Sequence, residues 1–72
     1  MTELARGRGL AGRVVSFDSA VGLGEIESAA GERHLFHCIE IADGSREIAV
    51  GTDVSFDLLP KFGRSEAANI RT

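Results

Sequence analysis

The sequence predicts an all-β domain in which five short strands close into a small barrel. The chain has 72 residues, which is enough for one domain at most. Residues 54–58 alternate apolar and polar side chains, the pattern of a half-buried strand, and no segment is long enough for an amphipathic helix. Glycine-containing turns separate the other β-rich segments. Because a closed barrel leaves no unpaired strand edge, it suits five short strands in so small a chain.

The strands are expected to follow one another along the chain with short turns between them. In the first strand we expect a bulge or bend at Gly12, since glycine in a strand often marks one. After the third strand the chain is predicted to form a short helical turn and then a long loop that ends near Thr52. The predicted strands span residues 10–17, 22–27, 33–38 and 54–58, with a fifth beginning at 67–70.

The ends of the chain differ in composition from its middle. Residues 1–9 contain little apolar surface to offset the entropy of ordering them, so we predict a flexible N-terminal tail followed by a folded domain over 10–72. The net charge of −3 argues against tight binding to a polyanion. Local charge can outweigh the total, however, and positive side chains gather near both ends. They are Arg6, Arg8, Arg13, Lys61, Arg64 and Arg71.

The single cysteine, Cys38, excludes an internal disulfide and suits a reducing compartment, so we expect a cytoplasmic protein. No apolar run reaches the length needed to span a membrane, and no membrane partner is expected. The first ten residues carry arginines without an apolar stretch behind them, which does not fit a signal peptide.

Five segments resemble, in order and at nearly the same spacing, the motifs of the bacterial cold-shock domain. The similarity covers residues 12–71. It implies a five-stranded antiparallel barrel of the oligonucleotide-binding (OB) fold, and a module that binds single-stranded RNA or DNA. The segments are GRVVSFD at 12–18 (family G-x-V-K-W-F-N), VGLGEI at 21–26 (K-G-F-G-F-I), HLFHC at 34–38 (V-F-V-H-F), VGTDVSF at 50–56 (E-G-x-x-V-x-F) and AANI at 67–70 (the end of G-P-Q-A-A-N-V).

The resemblance also implies which side chains form the core and which face nucleic acid. The implied core residues are Val14, Ile26, Phe36, Ile41, Val54, Phe56 and Ile70. In this family, bases stack on surface aromatics and lysines lie nearby, and each stacked base contributes about 1–3 kcal/mol. In this chain, other residue types stand at those positions. The family's aromatics are replaced by Ser16, Leu23, Glu25, Leu35 and Cys38, and its lysines are replaced by Val15 and Val21.

The remaining candidates for contact with nucleic acid are few, so we predict weak binding. They are Phe17, His37, Lys61, Phe62 and Arg64, helped by the arginines of the tail. The alternative is a protein-interaction or homodimerisation module, because an exposed aliphatic patch can bury against protein. Its candidate interface is Val15, Val21, Leu23 and Leu35. Both hypotheses require residues 15, 16, 21, 23, 25, 35 and 37 to share one outward surface.

No constellation of residues points to an enzyme, a cofactor or a metal. His34 and Cys38 are expected on one face of a strand and His37 on the other, whereas a zinc site needs about four converging ligands. His34 is predicted to point inward beside Phe36, either as a rim histidine bonded to backbone or as a pH-sensitive switch. His37 is either a platform for a base or an exposed histidine without a partner. We therefore expect a binding protein without catalytic or metal-binding residues.

Overall fold

The structure is a computed structural model that describes residues 7–61 and 63–72. It contains one antiparallel sheet with the strand order β3-β2-β1-β4-β5. The prediction of an all-β fold with five antiparallel strands is confirmed. The elements are β1 Gly7–Asp18, β2 Leu23–Ser28, β3 Arg33–His37, a 3₁₀ helix Cys38–Glu40, β4 Asp53–Lys61 and β5 Arg64–Arg71.

The strands are longer than the sequence predicted. β1 begins at Gly7, inside the predicted tail, because Gly7 pairs with Leu58 of β4. The rest of that tail, residues 1–6, lies outside the described residues. β4 continues through Pro60, which pairs with Ser65, and so β5 already begins at Arg64. Proline is tolerated at this position because, within the described residues, its only strand neighbour is β5.

The buried core matches the one that the resemblance implied. All seven expected residues are buried, and Phe36 and Phe56 are the largest fully enclosed side chains. Leu58, Ala67 and Ala68 complete the core from β4 and β5. Alternation along the strands accounts for this arrangement, since every second residue of β4 from Val54 to Leu58 points to the same side.

Gly12 and Gly24 are places where two parts of the chain approach closely. A Cβ atom on Gly24 would lie 2.5 Å from Cζ of Phe36, and one on Gly12 would lie 2.8 Å from Cε1 of Phe56. The expected bulge at Gly12 is wrong, because this residue pairs regularly with both neighbouring strands. The register of β1 shifts instead between Val14 and Ser16 against β2, and between Gly7 and Leu10 against β4.

The segment that follows β3 contacts the end of β5. Ile41 forms an isolated parallel bridge with Ile70, and the backbone N–H of Ala42 donates to the Ile70 carbonyl at 2.8 Å. The Glu40 carboxylate also accepts a hydrogen bond from the N–H of Asn69 at 3.2 Å. The segment after β3, one edge strand of the sheet, therefore contacts β5, the other edge strand.

The side chain of Asp57 in β4 forms hydrogen bonds with the beginning of β1 and with the end of β5. Its carboxylate accepts the Gly9 N–H at 2.9 Å, the side-chain amide of Asn69 at 3.3 Å and the Arg71 guanidinium at 3.4 Å. The hydrogen bond from Gly9 is the main cause of a lowered pKa of Asp57, and Asn69 and Arg71 contribute to it. The charged carboxylate is thus the form that the folded state prefers.

Replacing Asp57 by asparagine is expected to destabilise the domain and to reduce its sensitivity to acid. A lowered folded-state pKa contributes stability that is present above the ordinary carboxyl pKa and is lost as pH falls through the folded value. Urea unfolding at a series of pH values, from neutral to about pH 2, measures this difference. Asp53→Asn, which removes the exposed ion pair with Arg13, is the control. The same acid dependence in wild type and Asp57→Asn would contradict the assignment.

Candidate nucleic-acid interface

Two rows of side chains cross β1, β2 and β3 on the side opposite the core. The register aligns Ser16 with Glu25 and Leu35 in one row, and Asp18 with Leu23 and His37 in the other. Directly aligned residues of paired strands point to the same side of a sheet, as do residues two apart on one strand. We call these six residues the outer face. The structure thus brings together five of the seven positions that both hypotheses require to share a surface.

Val15 and Val21 lie beside the outer face and not in its rows. Val15 is the extra residue at the bulge of β1 and is half-buried. Val21 lies in the turn before β2 and is 65% exposed. Leu23 is 38% exposed and Leu35 is half-buried. The candidate aliphatic interface is therefore split, because Glu25 stands beside Leu35 and His37 beside Leu23 in the two rows.

Phe17 points away from the outer face. It aligns with Gly24 and Phe36, and its ring stacks on that of Phe36 with centroids 5.9 Å apart and planes 7° apart. The side chain is half-buried against the core. Its surroundings also include a shallow surface depression lined by Ile48 and Ala49. Phe17 therefore does not share a surface with the rows of the outer face.

The two histidines lie on opposite sides of β3, as the sequence predicted. His34 is buried, and its ring centroid lies 6.0 Å from that of Phe56. Its Nε2 has no hydrogen-bond partner among the described residues, and the nearest carboxylate oxygen belongs to Glu32, 4.0 Å away. The side chain of His37 is 51% exposed at the end of β3. A ligand on the outer face would meet His37 and not His34.

Each described cation among the candidate residues lies next to a carboxylate. Lys61 Nζ is 3.3 Å from Glu40 Oε2, and Arg64 Nε is 3.3 Å from Glu66 Oε2. The Nε2 atom of His37 lies 3.7 Å from the other oxygen of Glu66. His37 and Arg64 thus lie next to the same carboxylate, that of Glu66, although β3 and β5 are not paired in the described sheet. Phe62, the remaining candidate, lies outside the described residues.

The sequence analysis did not identify Glu40 and Glu66. One signal for Glu66 was present, because Arg64 and Glu66 are two residues apart and point to the same side of a strand. Nothing local links Glu40 to Lys61, or Glu66 to His37, since these pairs form only after the chain has folded. Glu66 is also buried, with 3% of the residue exposed, and this could not be expected of a glutamate.

No protein-family model matches the chain, and no curated protein matches it significantly. The likeness to cold-shock domains therefore stays a prediction from the motifs quoted above. In the described part of the chain, no three His, Cys, Asp or Glu side chains are grouped so that they could hold a metal ion. No helix there has the length and apolar character required to cross a membrane.

Proposed function

We propose that this chain is a cold-shock-like module that binds single-stranded RNA or DNA weakly. In this proposal the sheet is an OB-fold barrel, with β3 and β5 closing it around the core. The strand order and the contact between Ile41 and Ile70 support this closure. A cytoplasmic location is part of the proposal and rests on the single cysteine.

The observation that carries the proposal is the position of His37. It ends a row of the outer face beside Leu23, and it lies near Arg64 through their shared neighbour Glu66. A strand of nucleic acid on the outer face would therefore meet an imidazole for a base and a guanidinium for a phosphate at the same edge. Lys61, at the end of β4, lies beside Glu40.

The same geometry accounts for low affinity. Glu25 lies in the middle of a row of the outer face, where its carboxylate repels phosphates. The stacking aromatics of the family are replaced at the five positions given above, and at about 1–3 kcal/mol for each stacked base their loss lowers affinity by orders of magnitude. We expect a dissociation constant on the order of 10⁻⁴ M at low salt.

The experiment is a chemical-shift titration of the labelled protein with a short pyrimidine oligonucleotide at low salt. We expect saturable shifts at Ser16, Leu23, Glu25 and His37, and smaller ones at Arg64. An absence of concentration-dependent shifts up to high micromolar concentrations would reject the proposal. Shifts confined to the opposite side of the sheet would reject the proposed face.

A second function, protein interaction or homodimerisation, is favoured by aliphatic residues that surround the same edge. Val21 is 65% exposed and Ile39, which follows His37 closely, is 69% exposed. With Leu23 they form a discontinuous apolar border that a protein could cover. Sedimentation across a concentration series distinguishes a dimer from a monomer.

Leu23→Lys separates the two functions, because it adds a cation to the outer face and removes part of the apolar border. If nucleic acid binds there, affinity should rise roughly three- to tenfold, and the slope of log K against log salt should steepen by about 0.7. If the border forms a dimer, the dimer should dissociate. Fluorescence anisotropy and sedimentation measure the two effects.

The control for Leu23→Lys is Val50→Lys, which makes the same change in net charge at a loop position that is 61% exposed. Equal affinities of the two variants for the oligonucleotide would count against binding on the outer face.

A further inference from the structure

Glu66 lies between a guanidinium and an imidazole that come from different strands. Arg64 Nε, at the beginning of β5, lies 3.3 Å from Oε2, and His37 Nε2, at the end of β3, lies 3.7 Å from Oε1. A guanidinium and an imidazole that converge from two strands form the kind of group that binds a phosphate oxygen. Here the position between them is already filled by a carboxylate of the chain itself.

The burial of Glu66 makes this carboxylate more influential than an ordinary surface charge. Its side chain is 5% exposed, whereas those of Arg64 and His37 are 62% and 51% exposed. Its Oε1 atom has no hydrogen-bond partner among the described residues. Such an atom is costly to bury, so the arrangement is a poor way to gain stability. Solvent screens a buried charge weakly, and its field therefore reaches the neighbouring cations and any anion that approaches them.

We propose that Glu66 is a built-in competitor for nucleic-acid phosphate, which holds the affinity of the outer face low by occupying Arg64 and His37. This inference rests on the proposed function and names what regulates the affinity of that same site. A phosphate that reaches Arg64 must lie near the Glu66 carboxylate, which repels it. For two like charges about 6 Å apart and an effective dielectric constant of about 40–80, this repulsion weakens binding roughly three- to tenfold.

Glu66→Gln tests the inference, because it keeps the shape of the side chain and removes its charge. Binding of a fluorescein-labelled oligothymidylate is followed by anisotropy over a salt series. We expect roughly three- to tenfold tighter binding than wild type at low salt, and a slope of log K against log salt that is steeper by about 0.7, since one more cation becomes free to contact phosphate. Glu32→Gln, in the exposed turn between β2 and β3, changes the net charge equally and should alter affinity less than twofold.

A double-mutant cycle with Arg64→Ala gives a readout that a merely structural role of Glu66 would not produce. In the wild type, Arg64 is occupied, so its removal should leave the slope of log K against log salt almost unchanged. In the Glu66→Gln background, its removal should make that slope shallower by about 0.7 and weaken binding threefold or more. If Glu66→Gln does not fold, the salt slope of Arg64→Ala in the otherwise wild-type protein decides the question, because a slope shallower than that of the wild type by about 0.7 would show that Arg64 already contacts phosphate.

The outcomes separate this inference from the proposed function. If wild type binds and Glu66→Gln binds no more tightly than Glu32→Gln, the competitor role is overturned and the proposed function stands. If the cycle is additive, the role is also overturned. If neither wild type nor Glu66→Gln binds at low salt, the proposed function fails and the inference falls with it.

Discussion

Phe36→Ala is expected to lower the free energy of unfolding by about 3–5 kcal/mol, the usual cost of truncating a buried phenylalanine to alanine. Phe36 is fully buried, stacks on Phe17 and lies beneath Gly24. At about 0.05–0.15 kcal/mol per residue, a chain of 72 residues has a total stability of only about 4–11 kcal/mol. The substitution therefore removes from about a quarter to all of the stability of the domain.

The measurement for Phe36→Ala is urea unfolding followed by far-ultraviolet circular dichroism. Intrinsic fluorescence is unsuitable because the chain has neither tryptophan nor tyrosine. The matched control is Phe17→Ala, which removes the other ring of the stacked pair from a half-buried position and should cost clearly less. A loss of stability in Phe36→Ala no greater than in Phe17→Ala would show that Phe36 is not the centre of the core.

Gly24→Ala should be nearly as damaging, although it adds only one methyl group. The new Cβ would lie 2.5 Å from Cζ of Phe36 and 2.7 Å from the backbone carbonyl oxygen of Ser16. The phenylalanine ring could shift only by disturbing the core, and the carbonyl could move only by separating β1 from β2. Overpacking of this kind costs about 1–3 kcal/mol and occasionally more, and we expect the upper end of this range.

Two further variants identify the cause of the damage in Gly24→Ala. Gly7→Ala adds the same methyl group where the nearest atom, 3.3 Å away, belongs to the flexible side chain of Leu10, so its effect should be small. Adding Phe36→Leu to Gly24→Ala should recover little stability, because the contact with Ser16 remains. Unfolding midpoints of Gly24→Ala and Gly7→Ala that agree would contradict the close approach.

The core and five of the seven outward positions could be predicted from the resemblance to the cold-shock motifs, and alternation along β2, β3 and β4 agrees with it. The motifs identified Val14, Ile26 and Phe36 as core residues, and they are buried. The ends of the strands could not be predicted in the same way. Gly7 and Pro60 have low intrinsic preference for strands, and they are included because Leu58 and Ser65 pair with them. Pairing between distant segments decided these boundaries.

The site was predictable only in part, for two physical reasons. The bulge between Val14 and Ser16 changes the alternation of β1, which turns Ser16 outward and Phe17 toward the core. Sequence alone does not show such a bulge. The contacts of Lys61 with Glu40 and of His37 with Glu66 depend on segments that are far apart in the chain. Residue types can therefore suggest a basic edge, while the positions of Glu40 beside Lys61 and of Glu66 beside His37 are found only in the folded protein.

The central position of β1 has a consequence for how the domain forms. One neighbour of β1 is β2, which follows immediately, but the other is β4, and the contact between Arg13 and Asp53 spans 40 residues of chain. Until β4 has been synthesised, a β1–β2–β3 meander would carry a bare hydrogen-bonding edge on its longest strand. Dominance of such long-range pairing slows folding to an order of milliseconds to seconds. A nascent chain would thus be most vulnerable to aggregation in the interval before its fourth strand arrives.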